Sequence, residues 1–155
     1  SKVVGPGGFV NISSSAKKAV FCGTLTAGGA EYEVKDGTIK ILKEGKIKKF
    51  VEANEHVTFS GKYAALRGQE VVYVTERAVF KLIDGKVTLV EIAPGMDVEK
   101  DIIAHMGFRP EISPDLKEMP REIFQPKWGK LKEILAAKGL TNNTRIWVCK
   151  APGGT

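Results

Sequence analysis

Cysteine is scarce: the 155 residues hold only Cys22 and Cys149. Two thiols so far apart give neither a disulfide framework nor a zinc site. Reduced thiols and a cytoplasmic setting are expected, or the mitochondrial matrix in a eukaryote. The sequons Asn11-Ile12-Ser13 and Asn142-Asn143-Thr144 then carry no glycan, because glycosylation needs secretion. Histidine is equally rare; His56 and His105 share no metal-ligand spacing, so both are expected at the surface and no metal is expected. No apolar run approaches the roughly eighteen residues that cross a bilayer, and Ser1-Lys2-Val3-Val4 does not begin a signal peptide. No membrane partner is expected. An initiator Met is missing, which suits a fragment or a processed product. There is no phosphate-loop signature, no serine-histidine pairing, no internal repeat and no low-complexity tract.

What is present is a chain of 43% hydrophobic residues, long enough to bury a core as one domain or part of one. Its 24 basic and 18 acidic residues leave a net charge of +6, which suits nucleic acid, a membrane surface or an anionic small molecule. Lys127, Lys130, Lys132 and Lys138 lie in a helical pattern with Leu131, Ile134 and Leu135, the mark of a solvated helix face. Lys40, Lys43, Lys46, Lys48 and Lys49 are interrupted by apolar residues at strand spacing. They lack the arginine and aromatic interleaving that stacks bases, so an edge strand kept soluble by lysines is expected and nucleic acid is not. A second class of function stays open: a non-catalytic, basic, β-rich module that binds an anionic partner such as RNA, with affinity that falls steeply with salt.

Taken in order, Ala19 to Thr24 reads as a strand buried on both faces. Asp36-Gly37 and Asp84-Gly85 are tight-hairpin signals, the first between Glu31 to Val34 and Thr38 to Leu42, the second between Ala78 to Ile83 and Val87 to Ile92. With Ile47 to Val51 the first hairpin makes a small antiparallel meander. His56 to Gly61 is ambiguous, and Glu70 to Thr75 returns to strand. Asp97 caps a helix whose Val98, Ile102, Ile103 and Met106 share a face and which Gly107 stops. Prolines 110, 114, 120 and 126 then keep the chain extended and irregular. A last helix runs from about Pro126 to Lys138, and Arg145 to Cys149 forms a final strand. Trp128 and Trp147 suit either an interface anchor or, more simply, core packing. The sum is a mixed, strand-rich sheet with covering helices near the C-terminus.

The stretch Gly5-Pro6-Gly7-Gly8-Phe9-Val10-Asn11-Ile12-Ser13 opens a glycine pair onto an alternating apolar segment. With no Cβ in the way, a bound group can approach its backbone N–H groups closely. The other reading of these residues is an ordinary turn. Glu76 and Arg77, between two strands, read as a turn carrying a surface ion pair worth under about 1 kcal/mol, and no direct chemistry is expected of Glu76.

Together with Val74-Thr75-Glu76-Arg77-Ala78-Val79-Phe80, Ile92-Ala93-Pro94-Gly95-Met96-Asp97, Phe108-Arg109-Pro110 and Ile112-Ser113-Pro114-Asp115-Leu116, that stretch resembles the C-terminal part of the acyl-CoA:carboxylate CoA-transferases, including acetate, propionate and 3-oxoacid CoA-transferases. The resemblance implies α/β architecture: residues 1–124 as the C-terminal portion of an open CoA-transferase beta-type domain with a parallel core sheet, and residues 125–155 as an unassigned C-terminal helix and tail. It implies transfer of CoA between an acyl-CoA and a short-chain carboxylate through a glutamyl-CoA intermediate, with coenzyme A as substrate and no other cofactor. The family's nucleophile lies in a Glu-Asn-Gly motif, which does not occur here, so the catalytic glutamate belongs to the remainder of the transferase as partner. Relatives are commonly multimers, and a homo- or hetero-oligomer is expected. By resemblance, Gly8 supplies a backbone oxyanion donor, Gly7 beside it binds substrate, Phe9 borders the acyl or pantetheine pocket, and Asn11, standing where some relatives carry Asp, either contacts the substrate or stabilises the turn.

Overall fold

The computed structural model describes residues 5–125, 127 and 130–138. A seven-residue helix α1 (Phe9–Ser15) leads into strand β1 (Lys18–Cys22). Four short strands follow: β2 (Thr26–Ala27), β3 (Glu31–Lys35), β4 (Thr38–Lys43) and β5 (Ile47–Lys48). Helix α2 (Gly61–Leu66) precedes β6 (Glu70–Val74), β7 (Ala78–Ile83) and β8 (Lys86–Ile92). After two helical turns, Val98–Ile102 and Ile103–His105, come β9 (Glu111–Glu118), a turn at Arg121–Phe124 and helix α3 (Leu131–Ala137).

The main sheet has the order β1-β6-β7-β8-β9 and is mixed, as its pattern suggests. β1 runs parallel to β6 with Lys18 opposite Glu70 and Cys22 opposite Val74. β6, β7 and β8 are antiparallel neighbours, and β8 pairs with β9 in parallel. β7 shows why the sheet holds. Its Ala78 and Phe80 face a cluster with Leu25, Leu89, Ile102 and Met106, while Val79 packs from the other face against Ile39, Ala93, Met119 and Phe124. A strand covered on both faces gains from apolar residues at every position.

Both predicted hairpins form. Asp36 and Gly37 have φ of 53° and 75°, Asp84 and Gly85 of 50° and 77°. Left-handed backbone at both central positions is the turn whose twist matches the flanking strands. Several expectations need correcting. The meander does not form: β3 pairs with β4, but β5 crosses to β2. β1 is not buried on both faces: Ala19 is buried and Val20 is 51% exposed, since no described element fully covers the Val20 face of this strand, which is also the edge strand. Residues 111–118 are not irregular but form β9, and Pro114 falls where the register with β8 breaks between Leu89 and Glu91. A proline without an N–H fits a strand only at such an irregularity or an outer edge. The ambiguous stretch leads into α2, capped by Ser60, whose hydroxyl accepts from Tyr63 N–H at 3.2 Å. Asp97 does cap its segment, accepting from Lys100 N–H, and Gly107 N–H donates to Phe50 O at 2.7 Å. The expected strand at 145–149, both tryptophans, Pro126 and Gly139 lie outside the described residues.

Gly45 lets β5 approach β2. A Cβ there would stand under 3.0 Å from backbone atoms of Ala27, with no flexible side chain to give way. Gly45→Ala is therefore expected to cost about 2 kcal/mol through overpacking, read as a lower urea midpoint at unchanged slope; an unchanged midpoint would show that the β2–β5 junction yields freely.

Candidate active site

The glycine pair does not open onto a strand. Gly7 has φ of +53°, a conformation glycine adopts without strain. Gly8, at φ −74°, starts α1: its carbonyl accepts from Ile12 N–H at 3.0 Å, Phe9 N–H donates to Pro6 O at 3.1 Å, and the Ser13 hydroxyl donates to Phe9 O at 2.6 Å. These ties, with Ser13 buried, hold as a helix a segment rich in β-branched residues and serine that has little intrinsic helical preference. The Gly8 N–H has no backbone acceptor among the described residues.

Because α1 turns directly into β1, the helix start lies beside the strand end. Phe9 meets Phe21 with ring centroids 6.0 Å apart. Gly7 and Gly8 thus sit at the carboxyl end of the parallel pair β1–β6, the end of an open α/β sheet where ligands bind. Asn11 is exposed, two residues beyond Phe9 and so about 200° around the helix from it, on another face. The structure brings Gly7, Gly8 and Phe9 together and leaves Asn11 apart.

Aromatic rings continue from Phe9. Phe21 stacks on Tyr73 at 5.3 Å and meets Phe59 edge-on at 5.2 Å; Tyr73 meets Phe50 at 6.1 Å. Burial pushes the Tyr73 phenol above its ordinary pKa. Two cavities share Phe21 and Tyr73 as walls. One, about 240 Å³, extends past Phe9, Asn54, His56 and Phe59; the other, about 230 Å³, reaches Cys22, Gly23, Thr24, Lys49 and Phe50. Sequence reasoning missed Thr24, Lys49 and Tyr73 as cleft residues. The available signal was Gly23 at the end of an apolar strand, a place for close approach.

Three of the five clustered lysines make distinct contacts. Lys43 pairs with Glu31 at 3.3 Å, Lys48 donates to the carbonyls of Ala104 and Met106 at 2.9 Å, and Lys49 approaches the Thr24 hydroxyl at 3.3 Å.

The reading of Glu76-Arg77 as a surface ion pair is wrong. Arg77 is fully buried. Its Nε donates to Glu76 Oε1 at 2.8 Å, its Nη1 and Nη2 hold both oxygens of Glu44 at 2.5 and 2.8 Å, and Nη1 also donates to Asp101 O at 2.9 Å. Glu76 Oε2 accepts from Leu25 N–H at 2.9 Å, and Glu44 Oε2 from the Thr26 hydroxyl at 3.2 Å. One guanidinium therefore ties together the β1–β2 loop, the β4–β5 loop, the β6–β7 turn and the Val98–Ile102 segment. His105 is not a free surface residue either, with Nε2 3.4 Å from Glu44 Oε1. Among the described residues no cluster of three histidine, cysteine or carboxylate side chains could hold a metal.

The hydrogen bond from Arg77 holds the Glu44 carboxyl below its ordinary value of 4.5. A carboxyl with a depressed folded pKa adds stability above its unfolded value and loses it as pH falls through the folded value. Glu44→Gln is expected to cost about 2 kcal/mol at pH 7, the scale of a hydrogen bond to a charged group. Its deficit against the parent should shrink below pH 4.5, where urea midpoints at several pH values would show it. A deficit that stays constant with pH would remove Glu44 from the acid-sensitive contacts.

No family model matches the chain. It is 54% identical over 134 residues to a caffeate CoA-transferase of Acetobacterium woodii, covering 86% of this chain and 25% of the relative. It is 51% identical over 123 residues to the acetate CoA-transferase YdiF of Escherichia coli K12, covering 79% of this chain and 23% of the relative. Two solved structures of the acyl-CoA transferase YdiF from E. coli O157:H7, a thioester complex with CoA and the apoenzyme, superpose with TM-scores of 0.78 and 0.79. Each is 50% identical and covers 81% of this chain and 24% of that one. Relatives and structures define one class, enzymes that carry CoA between acyl groups. CoA-transferases are thus close homologues of the chain, which spans about a quarter of the length of the relatives it matches. No described helix is long and apolar enough to cross a membrane.

Proposed function

We propose that this chain is the C-terminal portion of the beta-type domain of a cytoplasmic CoA-transferase, completed by a partner segment that carries the nucleophilic glutamate. Residues 1–124 form that portion and residues 125–155 extend it. The enzyme moves CoA between an acyl-CoA and a short-chain carboxylate or 3-oxoacid. The glutamate carboxylate attacks the thioester carbonyl and CoA leaves as thiolate, giving an acyl-glutamyl anhydride. The thiolate then attacks the glutamyl carbonyl, the donor carboxylate leaves, and glutamyl-CoA remains; an acceptor carboxylate runs the sequence in reverse.

A carboxylate is a weak nucleophile, so charge on the tetrahedral oxygen must be met by a donor already in place. Gly8 N–H is that donor, and the single observation that carries the reading is its position: no backbone acceptor among the described residues, at the carboxyl end of parallel strands, beside the aromatic cleft that begins at Phe9. Gly7 gives the loop its left-handed step, and Phe9 borders the acyl or pantetheine arm. Asn11, on another face of α1, stabilises the turn rather than contacting the substrate. Binding of the pantetheine arm, remote from the reacting bond, contributes to lowering the barrier.

The test is steady-state transfer from acetyl-CoA to propionate by the assembled enzyme. A covalent glutamyl-CoA requires ping-pong kinetics, with parallel double-reciprocal lines as propionate is varied. Intersecting lines would contradict the intermediate, and absence of transfer in a verified assembly would contradict the function.

A further inference from the structure

Gly8 stands at one end of α1, and what anchors this helix lies at the other. Gln69, in the turn between α2 and β6, is polar and buried. Its carboxamide nitrogen carries two N–H donors, and both are used: Nε2 donates to Ser13 O at 2.6 Å and to Ala16 O at 2.8 Å. Arg67 Nη1 donates to Ser14 O at 2.6 Å. The last carbonyls of a helix have no partner within it, so these side chains from a distant turn close the end of α1. The turn is itself fixed, with Gly68 at φ +64° and Gln69 N–H donating to Ala64 O at 2.9 Å.

Two lines of hydrogen bonds run from Gln69 back to the glycine pair. In one, Ala16 N–H donates to Ile12 O at 3.1 Å and Ile12 N–H to Gly8 O at 3.0 Å. In the other, the Ser13 hydroxyl donates to Phe9 O at 2.6 Å while Ser13 O accepts from Gln69. A helix of seven residues is not stable by itself, so its anchors decide where it lies. Resting on the Gly8 reading above, we propose that Gln69 is a positioning residue for the transfer, holding through α1 the Gly8 N–H where charge develops on the thioester oxygen. Gln69 lines neither cavity beside Phe21, so it acts through the helix and not on the substrate. An oxyanion donor is effective only when its place is set before the reaction, and a misplacement of about 1 Å costs up to about 10²-fold in rate.

Gln69→Leu keeps most of the side-chain volume and removes both donors. In the assembled transferase, with kcat counted per assembled molecule, turnover should fall about tenfold or more while KM for acetyl-CoA stays that of the parent. The double variant separates positioning from stability. If Gln69 acts through Gly8, Gln69→Leu should change kcat little once Gly8→Val is present, because the two effects are coupled. The same fold-loss in both backgrounds would leave Gln69 a purely structural role and overturn the proposal. Where Gln69→Leu does not assemble, Gln69→Asn, whose shorter amide cannot serve both carbonyls, enters the same cycle with the same contrary result. Amide hydrogen exchange in the assembled enzyme gives a reading without turnover: Gln69→Leu should speed exchange over residues 9–16 and leave β7 and β8 unchanged. Unchanged exchange over 9–16 also overturns the proposal. Parental turnover in Gly8→Val removes the Gly8 reading and this inference with it, whereas a loss in Gly8→Val beside full turnover in Gln69→Leu removes this inference alone.

Discussion

Arg77→Met should lower the stability of the chain by about 3–5 kcal/mol at neutral pH, the scale of removing one partner from a buried ion pair. The side chain is fully buried, and methionine fills much of its volume, so a cavity is not the main cost. The cost comes from Glu44 and Glu76. Both lose their cation, and Glu76 retains only Leu25 N–H as a donor among the described residues. Because unpaired carboxylates are relieved by protonation, the deficit should be largest at neutral pH and decrease toward acid pH. Glu44→Gln added to Arg77→Met should recover part of the loss, since the two side chains share one interaction and their effects are not additive. Urea unfolding of the single and double variants measures both. Full additivity would mean that Arg77 is stabilised mainly by Asp101 O and packing.

Gly8→Val should reduce turnover of the assembled transferase about 10²-fold or more, the range seen when an oxyanion donor is lost. The added isopropyl group stands where the thioester must approach the N–H. The fold should survive, since Gly8 has φ of −74°, open to any residue, and a Cβ would meet only Ile12 Cδ1 at an ordinary 3.5 Å. Gly8→Ala should lie between parent and Val. The fall belongs in kcat more than in KM, because the donor matters most when charge develops on the oxygen. Turnover near that of the parent in a folded Gly8→Val enzyme would move the oxyanion donor elsewhere.

Much of the sheet could be read from local pattern. Asp36-Gly37 and Asp84-Gly85 announce their hairpins because a two-residue turn needs only its own φ angles, and the strands flanking them alternate in step. Elements that depend on distant partners were harder. α1 is seven residues of weak helical preference, held by Ser13 and by Phe9 lying on Phe21, neither of which follows from spacing. β9 contains a proline that argues against a strand until the register break opposite it is seen. β5 looks like the third strand of a meander, yet Gly45 lets it reach β2 instead.

The site divides in the same way. Gly7, Gly8 and Phe9 are contiguous, and the resemblance to CoA-transferases points to them directly. Local pattern gives Glu76 and Arg77 only as a surface pair, since what makes them a buried knot is Glu44, 33 residues away. In the sequence Lys49 is one of five lysines at strand spacing, a pattern that reads as solubilising charge. Only the pairing of β2 with β5 and the contact with Thr24 set it apart at the end of the cleft.

The most direct test of the account is to titrate the glutamate-bearing remainder of the transferase with this chain while following propionyl-CoA formed from acetyl-CoA and propionate. The account predicts no transfer by either piece alone, and activity that rises with added chain to a plateau tracking their association. Transfer by the remainder at full rate without the chain, or no transfer once the two are bound, would contradict it.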